Sequence, residues 1–320
     1  MKNGQIMSLK LGTLLAGTNS RHGLWVLPFV VGVVGCVGIA IAAQNFATPQ
    51  NVLNLVAQAV PLLLVSIGQM TVVLIRGLDL SVGSVVSLAT AILALNAPAA
   101  ITVPAIFAAA VLIGFLNGIA VTRLNVHPII ATLSMLGITQ GITLLVRPTA
   151  GGTIPQIVTA AVSGDLLGIY MPVIWMAVAV LAGWKLLHGS RFGLHLFAIG
   201  GGDVARTFGI PDKRNTLLAY VTCSCFAAAA GIFLAGRITS GDPNIGAQYA
   251  VDSITAVALG GTQLAGGIGS LQGTVIGTAL LALLANGMNL LNVSAFVQTV
   301  VKGAILLAVI ALQPRKTIGL

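Results

Sequence analysis

Charge is what this sequence has least of. Only six of its 320 residues are acidic, charged residues of both signs make up 7 %, and aromatics 5 %. A soluble domain carries about 25 % charged residues, so a water-facing surface is excluded for most of the chain. Cysteine is scarce too. Cys36, Cys223 and Cys225 all lie in apolar runs, and Cys-x-Cys is not the spacing of a structural zinc site; they read as small packing residues. The four histidines, His22, His127, His188 and His195, form no H-E-x-x-H pair. With no G-x-S-x-G and no paired aspartates either, no catalytic residue and no metal ligand set is expected. The phosphate-binding pattern G-x4-G-K-[ST] is missing, so this chain is not expected to bind a nucleotide or any other cofactor.

What fills the chain instead is apolar sequence, 57 % hydrophobic in all. A helix needs about 20 apolar residues to cross a bilayer. Leu24–Ala43, Val52–Ile75, His127–Val146 and Asn215–Gly236 each reach that length, and Val82–Thr122 and Ser253–Val301 are each long enough for two crossings. The expectation is an all-α polytopic membrane helix bundle of eight to ten transmembrane helices, some of them broken or re-entrant. Leu24–Ala43 is too long for the roughly 7–15-residue core of a signal peptide and reads as an uncleaved first helix.

A net charge of +9 would suit a nucleic acid, but its distribution does not. Lys2, Lys10, Arg21, Arg123, Lys185, Arg191, Arg206, Lys213, Arg214, Arg315 and Lys316 all fall on one side of a ten-span arrangement, leaving Arg147 and Arg237 on the other. That is the positive-inside bias. It orients the chain in the membrane with both termini cytoplasmic. The domain reading follows: residues 1–23 as a cytoplasmic segment, 24–314 as one transmembrane domain, 315–320 as a tail.

Within the apolar sequence one acid stands out. Asp79 lies in Arg76-Gly-Leu-Asp-Leu-Ser81-Val-Gly83-Ser84, between two apolar runs. A carboxylate at that depth costs roughly 2.5–3.5 kcal/mol, so it belongs at a helix break beside a polar path, bonding local backbone amides. The frame G-x-[DQ]-L-[SA]-x-G recurs at Gly261–Gly267, with Gln263 in the place of Asp79. Leu116-Asn117-Gly118 before Asn125 is likewise echoed by Ala285-Asn286-Gly287 before Asn292. Transporters carry diverged repeats whose broken helices point to the path. Ser253–Ser270 reads as a second broken element, because Ile254–Leu259 is too short to cross before Gly260 and Gly261. Asp252 is placed to cap a helix beginning at Ser253, to line the path, or both. Asn51 is a possible cap of the second span, whose Pro61 should kink it. The path and helix-break candidates are Asp79, Ser81, Gly83, Asp252, Gly260, Gly261 and Gln263, with Gln69 and Asn286 as further weak polar partners. Gly114-x3-Gly118 and Gly273-x3-Gly277 allow close helix packing.

The longest basic connection, 188–215, contains Gly200-Gly201-Gly202-Asp203. Asp203 can cap a helix of one to two turns that Gly209 and Pro211 end, which would make a docking element between two spans.

Four stretches, taken together and in order, resemble the membrane permease subunits of ATP-binding cassette importers for monosaccharides of the ribose/arabinose/xylose type. They are Gly77–Ser84, Phe192–Ile210, Ser240–Gly246 and Asp252–Gly269, within a similarity running roughly from Ala47 to Lys302. The resemblance implies a separate cytoplasmic ATPase that uses ATP and Mg, a periplasmic or lipid-anchored sugar-binding protein, and a second permease copy, identical or related. It also implies that Gly200, Gly201, Asp203, Ala205, Arg206 and Gly209 form the segment coupled to the ATPase. The chain departs from the family's pattern at Gly202-Asp203, where Asn is usual, and at Ala250, where Glu is frequent. A permease for branched-chain amino acids or another small solute, or a secondary transporter using Arg76, Asp79, Asp252 and Lys302 as a relay, are the competing readings.

Overall fold

The structure is a computed structural model that describes Gly38, residues 46–202 and residues 204–312. The rest of the first apolar run, Cys36, Asp203 and the tail lie outside the described residues. Among the described residues the secondary structure is helical apart from one short hairpin. Among the described residues six helices are long and apolar enough to cross a membrane.

The first, α1 (Pro49–Leu74), starts where Pro49 supplies a helical φ and Thr48 accepts a hydrogen bond from Asn51 N at 3.3 Å. The cap is therefore Thr48, not Asn51, whose amide is engaged elsewhere. Pro61 lies inside α1. From Ala59 to Leu74 every α1 residue is buried, which makes it a central post. After a turn at 75–81 comes α2 (Val82–Leu93), then α3 (Ala99–Thr122) and α4 (Pro128–Val146). Val82–Thr122 is thus not two full crossings. With 12 residues, α2 spans only about 18 Å at 1.5 Å per residue, and Asn96 at φ 58° with Pro98 behind it ends the segment.

A short helix α5 (Gln156–Ser163) and the hairpin β1 (Asp165–Leu166) and β2 (Ile169–Tyr170) follow. Asp165 pairs with Tyr170 and Leu166 with Ile169; Leu167 and Gly168 take the positive φ that a two-residue hairpin turn needs. Next come α6 (Met171–His188), α7 (Arg191–Gly201) and the one-turn α8 (Val204–Thr207). The chain then crosses through α9 (Asp212–Ile238), breaks, forms the 11-residue α10 (Tyr249–Leu259), and ends with α11 (Leu271–Leu290) and α12 (Ala295–Leu312).

The helices α1–α4 and α9–α12 make two matched sets of 26, 12, 24 and 19 residues against 27, 11, 20 and 18. Each long first helix packs on the other set: α9 on α3 and α2, α1 on α11 and α10. The directions are opposed. The C-terminal end of α1 and the N-terminal end of α9 lie at the face that carries α7, where Arg76, Asp212 and Lys213 line one cavity. At the opposite face Gly151 bridges to Gly241, and Asn286 bonds Asn51. The bundle is an inverted repeat, with α2 and α10 as half-length helices pointing to opposite faces.

Large side chains on α3, α4, α6 and α12 are exposed, among them Ile101, Leu133, Leu181 and Leu307. Apolar surface of that extent belongs against lipid or another membrane subunit. The small-residue pairs act at close crossings. A Cβ on Gly114 would meet the Tyr220 carbonyl oxygen at 2.6 Å, and one on Gly277 would overlap Ala256.

Candidate functional site

Two breaks meet near the middle of the bundle. In the first, Arg76 takes φ 66° and Gly77 N returns to Val72 O at 3.0 Å, which turns the chain out of α1. Asp79 is wholly buried. Its Oδ1 accepts from Ser81 N at 2.9 Å and from Ser81 Oγ at 2.6 Å, and the Ser81 oxygen in turn accepts from Asn117 Nδ2 at 2.9 Å. The Gln69 amide, assigned in the orientation that satisfies both of its ends, clasps the Asp79 backbone. It donates to the carbonyl and accepts from the N–H, both at 3.1 Å. Thr132 Oγ1 donates to Leu78 O at 3.1 Å. The carboxylate therefore acts locally as a turn-former, with Oδ2, Asn117 Oδ1 and the Tyr220 hydroxyl left without a hydrogen-bond partner among the described residues.

The second break is 239–248. There Asp242 Oδ1 accepts from Asn244 N at 2.8 Å, the same two-residue carboxylate turn. Asp79-x-Ser81-x-Gly83 and Asp242-x-Asn244-x-Gly246 are counterparts, and their glycines touch. A Cβ on Gly83 would lie 2.7 Å from the Gly246 carbonyl oxygen, one on Gly246 would overlap that of Gly83, and Gly246 N donates to Ser87 Oγ at 2.9 Å. No side chain fits between the halves at that point. The frame at Gly261–Gly267 is thus not the structural counterpart of Gly77–Gly83. It matched residue names, whereas the fold repeats the carboxylate turn.

Gly260, Gly261 and Gln263 do lie beyond a helix break, but at the α7 face. Gly260 follows α10, Gly261 has φ 80°, and Gln263 N bonds Ile268 O at 2.9 Å. Gly267 N donates to Leu74 O at 2.9 Å, so this loop closes on the end of α1. Asp252 does not cap a helix at Ser253. The helix begins at Tyr249, with Gln248 before it, and Asp252 sits one turn in. Its carboxylate pairs with Lys302 Nζ at 2.6 Å, the two side chains 9 % and 15 % exposed. Sequence reading grouped both only within the competing relay and did not pair them, because 50 positions separate them. Asn286 exchanges two hydrogen bonds with Asn51, at 3.0 and 2.9 Å, and is thereby a helix–helix contact at the far face.

At the α7 face the coupling candidates divide. Ser190 caps α7, its Oγ accepting from Gly193 N at 3.1 Å. Gly200 is buried, with room for no Cβ between Leu74 O and Gly267, and Arg76 Nε donates to its carbonyl at 3.2 Å. Ala205 is buried and accepts from Ile210 N, while Gly201, Thr207, Phe208 and Gly209 face outward, Phe208 at 79 %. Gly209 takes φ 72°. Arg206 falls within α8, and the proposed cap Asp203 lies outside the described residues. Leu74 and Phe208 escaped sequence reading, and Arg76 was read there only as a relay candidate, since only the fold brings Leu74 and Arg76 beside Gly200 and leaves Phe208 exposed. Among the described residues no group of three or more His, Cys, Asp or Glu side chains could hold a metal.

An inverted pair of helix sets with paired breaks in mid-bundle, wrapped in lipid-facing apolar surface, defines a multi-pass membrane transport protein. Its particular family follows from comparison. Residues 51–310 match the family described as branched-chain amino acid transport system / permease component, and the chain belongs to it. It is 36 % identical to the ribose import permease protein RbsC of Bacillus subtilis (strain 168) over 331 aligned positions, 99 % of this chain and all of the relative. It is 34 % identical to RbsC of Escherichia coli (strain K12), over 87 % of this chain and 90 % of the relative. Identity to the galactose/methyl galactoside import permease protein MglC of the same strain is 30 %, over 90 % and 93 %. No solved structure matches the chain. It is a transport subunit, not an enzyme.

Proposed function

We propose that this chain is the permease through which a monosaccharide enters the cell, as one subunit of an ATP-binding cassette importer in a bacterial inner membrane. The observation that carries the reading is similarity to ribose import permeases along nearly the whole chain. The similarity to a galactose/methyl galactoside permease favours a sugar over the branched-chain amino acid in the family's description. A neutral polyol needs weak polar partners along its path, and the buried hydroxyls and amides around Asp79 and Ser81 are of that kind. The basic residues Lys185, Arg191, Lys213 and Arg214 put the α7 face in the cytoplasm by the positive-inside rule, with both termini on that side.

The chain supplies no nucleotide site in this reading. A separate ATPase binds ATP and Mg and docks on the outward residues of α7 and α8, with Phe208 as its apolar anchor. A secreted or lipid-anchored binding protein delivers the sugar at the opposite face, and a second permease, identical or related, completes the path. The test is reconstitution into liposomes with the ATPase and binding protein. ATP-dependent uptake of a radiolabelled pentose or hexose, and none of leucine, is the expected result. Uptake that persists without the ATPase would mark a secondary transporter and end this reading.

A further inference from the structure

The two halves differ in one respect that their architecture does not require. In the first half, α2 packs against α4 without a single charged residue in either helix. In the second half, α10 packs against α12 in the same way, yet the contact carries Asp252 and Lys302. Lys302 is the eighth residue of α12; the eighth residue of α4 is Met135. The fold therefore solves the same packing problem with apolar groups alone. An ion pair there is costly to desolvate, and apolar residues of similar volume in its place are often neutral or stabilising. Charged side chains within membrane segments almost always face the bundle interior or a water-filled cavity and mark a transport pathway. This pair has that partial exposure, 9 % and 15 %, and Asp252 lies in the first turn of the half-helix whose approach begins at the Gly83–Gly246 contact.

The pair also has the chemistry a polyol needs. A carboxylate only accepts hydrogen bonds and an ammonium only donates them, with three N–H groups; the contact with Asp252 engages one of them. A sugar hydroxyl does both. We infer that Asp252 and Lys302 form a hydroxyl-binding station on the translocation path, exchanging their bond to each other for bonds to the hydroxyls of a passing neutral polyol. This rests on the importer reading above and deepens it. The station binds a class of solute, polyhydroxylated and uncharged, and leaves discrimination among sugars to other parts.

The molecule supplies its own control. The double variant D252A/K302M gives the second half the apolar character of the first. In the reconstituted importer, sugar moved per ATP hydrolysed is expected to fall about tenfold, hydrogen bonds to charged groups being the stronger kind. The melting temperature in detergent should stay at or above that of the unmodified protein, because the pair is not needed to hold α12. The amide pair D252N/K302Q still donates and accepts, and should keep uptake within about threefold, hydrogen bonds to neutral groups being individually modest. If D252A/K302M transports as well as the unmodified protein, the pair is a tether and the station does not exist. If the amide pair is as impaired as the apolar one, charge itself is required and hydroxyl binding is wrong.

Should D252A/K302M fail to assemble, K302C in a chain with Cys36, Cys223 and Cys225 replaced by serine provides the reading. A membrane-impermeant, water-requiring thiol reagent should label it, and sugar-loaded binding protein with ATP should change the rate. No labelling from either side would place Lys302 against lipid and overturn the inference. Failure of the unmodified assembly to take up any sugar would instead overturn the importer reading, and the station with it.

Discussion

The halves α1–α4 and α9–α12 share a plan and spend their polar groups differently. In the first half the carboxylate turn is sealed inside: Asp79 is wholly buried, clasped by Gln69 and tied through Ser81 to Asn117. In the second half the equivalent turn is half-buried with Asn244 exposed, and the Asp242 carboxylate accepts from the Asn244 amide. Conversely, the second half carries an ion pair where the first has none. What the halves have in common is what the architecture demands: two carboxylate turns, two half-helices, and a glycine in each where they meet. What only one half has is where function is to be sought.

That comparison can be broken experimentally. The largest effect should come from the shared element. Gly246→Leu places a side chain where the Gly83 carbonyl lies. Overpacking of this kind costs about 1–3 kcal/mol and more where only backbone can yield, so the folded fraction in membranes, read by size-exclusion chromatography, should collapse. Normal yield would show that the halves do not meet at these glycines.

Next is Gly200 against Gly201. A methyl at Gly200 overlaps Leu74 O and Gly267, whereas Gly201 opens onto empty space. Gly200→Ala should lower the melting temperature of the isolated permease. Gly201→Trp should leave it unchanged while uncoupling ATP hydrolysis from uptake in the reconstituted importer. The reverse pattern would move the docking surface elsewhere.

The third contrast separates the two turns. Asp79→Ala strands the buried Ser81 amide and hydroxyl, at about 1–3 kcal/mol for each unsatisfied group. Asp242→Ala exposes its amide to water and should cost about 1 kcal/mol or less. Equal thermal shifts would mean that burial does not distinguish them. An effect smaller than that of Asp79→Ala is expected at the opposite face. Asn51→Leu alone leaves the Asn286 amide unpartnered, about 1–3 kcal/mol, while the double variant N51L/N286L should recover most of that loss. A double-mutant cycle on melting temperature measures it.

The spans were legible because hydrocarbon imposes length and apolarity on every crossing; α1, α4 and α9 fall within a few residues of their apolar runs. The half-helix α2 was not, since nothing charged marks its end and Val82–Thr122 is apolar throughout. Asp79 was legible as a helix break from one acid among glycines. Its clasp by Gln69, ten residues earlier in α1, was not, because that bond depends on how the turn folds back. The repeat was visible in part: Asn117 with Asn125 and Asn286 with Asn292 mark the ends of α3 and α11, both later asparagines at positive φ. The carboxylate turn was matched to Gly261–Gly267 because residue identity there is high. Its true partner, Asp242-Pro-Asn-Ile-Gly246, keeps only the groups that make the bonds.

Gly200 sits where the two halves meet at the α7 face. The end of α1 and the loop after α10 belong to opposite halves, and both close on this one residue, through Leu74 and Gly267. With no side chain to bend, there is no compliance at the junction. A displacement of α7 at Gly200 bears directly on backbone of both halves. Within a single subunit the end of α1 and the loop after α10 are thereby held together, and a state with one shifted and the other at rest would have to pull backbone away from backbone.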